Sequence, residues 1–198
     1  MQIPAELKSL PNQLTIARIV AVPVICALLI AGVEWALWLR WVALGIYVLA
    51  AITDWLDGFI ARRMGQSSDL GKMLDPIADK LLVGALLLTL AWTRPDGVHP
   101  DLSFWELPAA IAILLREIFV SGLREFMGAR AVSVPVTFLA KWKTTAQLVA
   151  LFFIIVDSLL PSFGFISGGL LWLAALLTVW TGWQYLAGVW PYFGTKTE

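Results

Sequence analysis

The amino-acid sequence predicts an all-α, polytopic membrane protein in which six helices cross the bilayer. The first reason is composition: 60% of the 198 residues are hydrophobic, 14% are charged, and the mean hydropathy is +0.82. Soluble domains are about 45–50% apolar and about 25% charged. The second reason is that apolar stretches recur at about 20 residues, the length that a helix needs to cross a hydrocarbon core about 30 Å thick. Turn-forming residues between these stretches are the third.

The breaks between spans are "GVE", "MGQSSDLG", "TRPDGVHPDLS", "MGARAVSVPVT" and "LPSFG". They divide a single membrane domain, 1–198, into spans near 12–32, 36–63, 72–93, 105–127, 142–161 and 165–193. The first span is interpreted as a retained helix, because no convincing small-residue cleavage site follows it. The last boundary depends on Pro161 and Gly164, since residues 158–195 carry no charge.

The basic residues predict the orientation, because cytoplasmic loops are enriched in Lys and Arg. With six spans and the N-terminus inside, nine basic residues lie at inner ends: Lys8, Arg62, Arg63, Lys72, Arg124, Arg130, Lys141, Lys143 and Lys196. Only Arg40 and Arg94 lie at outer ends. Tryptophans near both predicted boundaries are typical of interfacial aromatic belts. We therefore expect a membrane protein with both termini on the cytoplasmic side.

Four aspartates at the ends of two apolar runs are the most informative feature: Asp54, Asp57, Asp75 and Asp79. The second span is uncharged only from Trp41 to Thr53, a rise of about 20 Å that is too short to cross. Asp54 should therefore lie at or just inside the membrane boundary, where ionised groups usually serve a function.

The spacing of three and of four residues places each aspartate pair on one helix face. Antiparallel helices bring both pairs to one depth, where four carboxylates would repel one another without a counter-ion. Oxygen ligands suit Mg²⁺ or Mn²⁺, and two ions about 3.5–4 Å apart are typical of phosphoryl transfer. The alternative is an acidic surface that pairs with Arg62, Arg63, Lys72 and Lys80.

Small residues accompany the aspartates. Gly58 and Ala61 leave room for a bulky group to approach the second helix, and Gly71 lets the third helix begin close to the second. Pro76 is expected near the first turn of the third helix, where its missing N–H costs little.

The pattern D-x2-D-G-x2-A-R-x8-G-x3-D-x3-D runs from Asp54 to Asp79 without departure. It resembles the signature of the CDP-alcohol phosphotransferases. This resemblance implies six membrane helices around a cytoplasm-facing metal site, over essentially the whole chain. It also implies that Asp54, Asp57 and Asp75 bind metal, and that Asp79 is a general base that also touches the second metal. The residues implied to face the CDP moiety are Gly58, Ala61, Arg62 and Gly71.

Three further stretches resemble the bacterial branch of this family that makes phosphatidylglycerophosphate: "LPNQLTIARIVAVP" at 10–23, "REIFVSGLREF" at 116–126 and "KWKTTAQLVAL" at 141–151. The implied reaction converts CDP-diacylglycerol and sn-glycerol 3-phosphate to phosphatidylglycerophosphate and CMP. The resemblance also implies a homodimer, in contact with membrane lipids. No nucleic-acid partner is expected.

A phosphorylated acceptor needs a basic pocket, for which the candidates are Arg116, Arg124, Lys141 and Lys143. Arg116 precedes Arg124 by two helical turns, so it should lie about 12 Å deeper in the membrane and require an anionic partner. The alternative is that Arg116 and Arg124 pair with Glu117 and Glu125, although adjacent helix residues do not face each other. The alternative for the lysines is anchoring or contact with anionic lipids.

Asn12, Thr15 and Arg18 open the first span. Asn12 and Thr15 either cap this helix or contact substrate, and Arg18, one turn later, could reach the acidic cluster.

Other functions remain open at this stage. Intramembrane prenyltransferases also use aspartates and Mg²⁺, but on two distant motifs. A cation transporter would show broken midplane helices in paired repeats, and none is evident. Within the family, inositol phosphate is the alternative acceptor, and serine is disfavoured by the basic pocket.

Overall fold

A computed structural model describes residues 10–64, 69–94, 101–128, 138–160 and 162–193. This part of the chain is helical throughout its regular elements: α1 Leu10–Glu34, α2 Trp38–Met64, α3 Asp69–Trp92, α4 Leu107–Gly128, α5 Phe138–Asp157 and α6 Gly164–Val189. A short 3-10 turn, Trp190–Tyr192, follows α6. The helix bounds agree with the expected spans to within four residues, and α5 and α6 are separate helices.

Two stretches, Asn12–Val33 and Gly164–Tyr192, are long and apolar enough to cross a membrane by composition, with mean hydropathies of 2.5 and 1.6. The other four helices carry the charged residues described below, which lower their mean hydropathy. That each of these four also spans the bilayer stays a prediction.

The six helices pack as two groups of three. Helix α1 packs against α2 and α3, and α6 packs against α5 and α4. The groups meet where α5 contacts α2 and α3 and where α4 contacts α3. At this seam the buried Tyr47 of α2 donates its hydroxyl to the carbonyl of Leu148 on α5, at 2.6 Å. The seam is therefore where side chains from both groups can meet.

Large apolar side chains also cover the outside of the bundle, as expected of a surface that faces lipid. Leu49, Leu88, Ile118 and Leu176 are all more than 60% exposed. Exposed tryptophans lie near both ends: Trp35, Trp38, Trp92 and Trp105 at one, Trp142 and Trp190 at the other. Because tryptophan favours membrane–water interfaces, this distribution fits the predicted aromatic belts.

A buried ion pair closes the end of the bundle where α2 begins. The Arg40 side chain is fully buried, and it donates to Asp101 at 2.6 Å and to Ser158 at 3.1 Å. Thr93, at the end of α3, also donates to Asp101. Arg40 thus lies at the predicted outer end, where it is buried and paired, whereas Arg94 at the same end is exposed.

Pro76 lies in the second turn of α3, so its expected place near the first turn is wrong. The helix begins earlier, at Asp69, because an acidic residue is favoured at a helix N-terminus. Pro76 therefore removes one backbone hydrogen bond from the helix, and it lines the cavity described below.

Replacing Arg40 should test the buried pair. Arg40→Met should lower the free energy of unfolding by about 3–5 kcal/mol, because Asp101 would stay buried without its counter-charge. Adding Asp101→Leu to that variant should recover much of the loss, since the unpaired charge is then removed. Unfolding in detergent, followed by circular dichroism, measures both effects. The matched control is Arg94→Met, which replaces an exposed arginine at the same end. An Arg40→Met protein as stable as this control would show that the buried pair does not stabilise the fold.

Candidate functional site

A cavity of 620 Å³ lies at the seam between the two helix groups, lined by α3, α4 and α5. Its charged lining residues are Asp75, Asp79 and Lys80 from α3, Arg116, Glu117, Arg124 and Glu125 from α4, and Lys143 from α5. The aspartates come from one group of helices, and the deep basic residues come from the other. The cavity thus has an acidic wall facing a basic wall.

Helix α1 supports the acidic wall from behind. Asn12, Thr15 and Arg18 are all buried, and their spacing of three places them on one face of α1. Thr15 donates its hydroxyl to Asp75 at 2.8 Å. Arg18 donates through one nitrogen to Asp54 and, at 3.3 Å, to Asp79. The expected contact between Arg18 and the acidic cluster is therefore present.

The capping alternative for Asn12 and Thr15 is wrong, because α1 already begins at Leu10. Both residues lie inside the helix, and the Thr15 hydroxyl donates to a carboxylate of α3. Thr15 instead positions Asp75 relative to α1.

Charge balance explains how these carboxylates can approach one another. Arg18 is buried and shares its one positive charge between Asp54 and Asp79, whose side chains are 28% and 42% exposed, which reduces their repulsion. Asp75 is exposed and lies one turn before Asp79 on α3. The remaining carboxylate oxygens thus stay accessible from the cavity and its surroundings.

Several predicted site residues lie in helices whose side chains are not described at those positions. Asp57, Gly58, Ala61 and Arg62 lie on α2, and Lys141 lies on α5, so their predicted contacts fall outside the described side chains. Gly71 lies in the first turn of α3. The predicted approach of a CDP group to this surface therefore stays a prediction.

The described side chains do not form a group of three or more His, Cys, Asp or Glu residues suited to a metal ion. Asp57, the fourth predicted ligand, is outside that set. The donors that are described nevertheless fit a hard divalent cation, because Asp54, Asp75 and Asp79 offer only carboxylate oxygens. The site is compatible in donor chemistry with Mg²⁺ or Mn²⁺.

The basic wall is organised around Glu117 of α4. One oxygen of Glu117 accepts from Lys143 at 2.5 Å, from Gln147 at 3.2 Å and from Arg116 at 3.3 Å. The side chains of Arg116, Glu117 and Lys143 are 12%, 14% and 9% exposed. With Arg124 and Glu125 included, the α4 and α5 lining carries three cations and two carboxylates, so this wall keeps an excess of positive charge.

The structure decides two alternatives about this wall. The pairing of Arg116 with Glu117 is present. The long arginine side chain can reach its neighbour, and Lys143 and Gln147 hold the Glu117 carboxylate from α5. Lys143 is buried and ion-paired, which argues against the alternative that it anchors the protein at the membrane surface.

Arg124 is exposed and lies over the Tyr185 ring of α6, 5.7 Å from its centroid.

Sequence reasoning did not identify the polar residues of α6 that support this wall. Thr181 accepts from Arg116 at 3.0 Å, and Thr178 accepts from Gln147 at 2.9 Å. A signal was available, because Thr178, Thr181 and Gln184 recur at a spacing of three in an otherwise apolar helix.

The sequence of this chain is similar to those of known membrane-lipid transferases. The sequence model of the CDP-alcohol phosphatidyltransferase family matches residues 8–180. A CDP-diacylglycerol–glycerol-3-phosphate 3-phosphatidyltransferase of Rickettsia typhi is 43% identical, over 94% of this chain and 100% of its own length. The protein of that name from Cereibacter sphaeroides is 37% identical, over 93% and 96%. A CMP-forming cardiolipin synthase of Oryza sativa is also 37% identical, over 94% of this chain and 59% of its own length.

Proposed function

Since this chain belongs to the CDP-alcohol phosphatidyltransferase family, we propose that it transfers a phosphatidyl group from CDP-diacylglycerol to sn-glycerol 3-phosphate. The products are phosphatidylglycerophosphate and CMP, on the route to phosphatidylglycerol and cardiolipin. Relatives at 36–43% identity over most of the chain carry the name of this activity. The observation that carries the proposal is the cavity itself, in which acidic and basic walls face each other.

The acidic wall handles the reacting hydroxyl. The glycerol oxygen attacks the phosphorus that carries diacylglycerol, the bond from that phosphorus to the CMP oxygen breaks, and CMP leaves. Asp79 takes the proton of the attacking hydroxyl, because its carboxylate lines the cavity and is held by Arg18. A carboxylate within hydrogen-bond reach of the hydroxyl serves as the general base.

Members of this family generally use divalent metal ions. We assign two ions, Mg²⁺ or Mn²⁺, to Asp54, Asp57, Asp75 and Asp79. When bound, they would neutralise the donor pyrophosphate and stabilise the leaving CMP. Thr15 and Arg18 hold three of these carboxylates in place from α1. Gly58, Ala61, Arg62 and Gly71 are assigned to the CDP moiety.

The basic wall binds the phosphate of the acceptor. Arg116 and Lys143 are nearly buried and line the cavity. Arg124 lines it two helical turns further along α4. A guanidinium offers paired donors to phosphate oxygens. Lys141 is assigned to the same pocket from its position on α5.

A second acceptor is favoured by one finding. The rice relative is named as a CMP-forming cardiolipin synthase and is 37% identical, so a lipid acceptor such as phosphatidylglycerol is the alternative for the same chemistry. Membership of the family sets aside the prenyltransferase and transporter interpretations. Inositol phosphate stays open as an acceptor.

Orientation and assembly complete the proposal. The cavity and both termini are proposed to lie on the cytoplasmic side of a bacterial inner membrane, and the excess of basic residues at the site end supports this orientation. A homodimer within the lipid bilayer is the proposed assembly.

Replacing Asp79 tests its role as the base. Asp79→Asn should lower kcat by about a hundredfold to ten-thousandfold, because the amide cannot accept the hydroxyl proton. CDP-diacylglycerol should still bind and still raise the thermal midpoint of the variant in detergent with Mg²⁺. CMP release measures the first effect. Turnover at the wild-type rate would remove Asp79 from the reaction.

Replacing Arg116 tests the acceptor pocket. Arg116→Ala should raise the KM for glycerol 3-phosphate by about tenfold or more, since a charged hydrogen bond to phosphate is lost. The KM for CDP-diacylglycerol should change far less. Arg94→Ala, at the opposite end of the bundle, is the matched control and should behave as wild type. Equal increases in both KM values would show that Arg116 does not act on the acceptor.

A further inference from the structure

Helix α6 presents a polar face to the basic wall although it carries no charged residue. Thr178, Thr181 and Gly182 are buried on this helix, and the threonines lie three residues apart. Buried hydroxyls in an apolar helix normally bond to their own backbone. The hydroxyls of Thr181 and Thr178 accept hydrogen bonds from Arg116 and Gln147, which lie on other helices. A helix face that only contacted lipid would not need these hydrogen bonds.

Thr181 fixes one end of Arg116. The Thr181 hydroxyl donates within its own helix, to the carbonyls of Leu177 at 2.9 Å or Thr178 at 3.0 Å. Its lone pairs are then available to Arg116, which donates to it at 3.0 Å. Because a hydroxyl has a single proton, this backbone bond orients the oxygen as an acceptor for arginine.

Gly182 fixes the stem of the same arginine by its lack of a side chain. A Cβ at this position would lie 2.9 Å from Cγ and 3.2 Å from Nε of Arg116. The arginine stem therefore occupies space that only glycine leaves open. Its Nε is buried and makes no hydrogen bond within the described part of the chain, so packing against α6 rather than bonding holds this segment.

Thr178 reaches the other half of the wall through Gln147. The amide nitrogen of Gln147 donates to Thr178 at 2.9 Å and to Glu117 at 3.2 Å. Glu117 in turn accepts from both Lys143 and Arg116. Two contacts from α6 thus act on the same basic cluster, one directly on Arg116 and one through Glu117.

We infer that Thr181 and Gly182 are positioning residues that set the affinity for the acceptor phosphate by fixing the Arg116 guanidinium, with Thr178 supporting the same cluster through Gln147. This inference rests on the proposed function. The observed contacts engage Arg116 at Thr181 and Glu117, and a guanidinium carries five N–H donors. Donors thus remain for an anion, and α6 controls their location.

Four single variants test this inference: Thr181→Val, Thr181→Ser, Gly182→Ala and Gly169→Ala. Thr181→Val removes the acceptor and keeps the shape, whereas Thr181→Ser keeps the hydroxyl. Gly169→Ala is the matched control on the same helix, because a Cβ there meets nothing within 4 Å. Steady-state CMP release gives KM for glycerol 3-phosphate and for CDP-diacylglycerol separately.

The acceptor KM should rise by about tenfold in Thr181→Val and Gly182→Ala, because the arginine loses a charged hydrogen bond or its space. The donor KM should stay constant, and Thr181→Ser and Gly169→Ala should match wild type. An acceptor KM in Thr181→Val equal to that in Thr181→Ser would overturn the inference. So would a parallel rise in both KM values in Thr181→Val.

A second readout separates this inference from the proposed function. Inorganic phosphate should raise the thermal midpoint of the wild-type protein in detergent, and the shift should be smaller in Thr181→Val than in Thr181→Ser. A wild type that releases no CMP with glycerol 3-phosphate would overturn the proposed function, while the phosphate shifts would still decide the inference. Equal shifts in both variants, or no shift in the wild type, would contradict it.

Discussion

Inside a helix bundle that lies in lipid, an ionised side chain has no water to replace its lost solvation, so each charge needs a partner in another helix. Arg18 meets this requirement for the acidic wall by bonding to Asp54 of α2 and Asp79 of α3. Thr15, one turn earlier, holds Asp75. Two residues of an otherwise apolar helix thus fix three carboxylates from two other helices, and the packing of α1 against α2 and α3 sets their geometry.

The same requirement shapes the other charged parts of the bundle. Glu117 compensates Lys143 and Arg116 on the basic wall, and Asp101 compensates Arg40 at the opposite end. The end pair is fully buried and has no access to the cavity lining, so it serves stability. The basic wall carries three cations against two carboxylates, so it is suited to an anionic ligand. The candidate site thus lies at the seam between the two helix groups, where the charges of the lining residues do not neutralise one another.

Much of this architecture was predictable from the sequence because bilayer thickness fixes helix length. The bounds of six helices follow from apolar length and turn residues, and the aspartates follow from their spacing. Rotation of one helix about its axis relative to another is not encoded so directly. The approach of Lys143 on α5 to Glu117 on α4 depends on that rotation. Asp101 lies outside the helices, so its pairing with Arg40, 61 positions away, does not follow from helix periodicity either. The polar face of α6 was hidden for a related reason, since threonine and glycine hardly lower the hydropathy of a helix.

The central claim is that one cavity joins a carboxylate wall for transfer to a basic wall for a phosphorylated acceptor. CMP release by the purified protein with CDP-diacylglycerol and Mg²⁺ tests it most directly, with glycerol 3-phosphate, phosphatidylglycerol, inositol phosphate or serine offered separately. We expect CMP to be released with glycerol 3-phosphate, and this release to be lost on addition of EDTA. Release only with serine, or release that EDTA leaves unchanged, would contradict it.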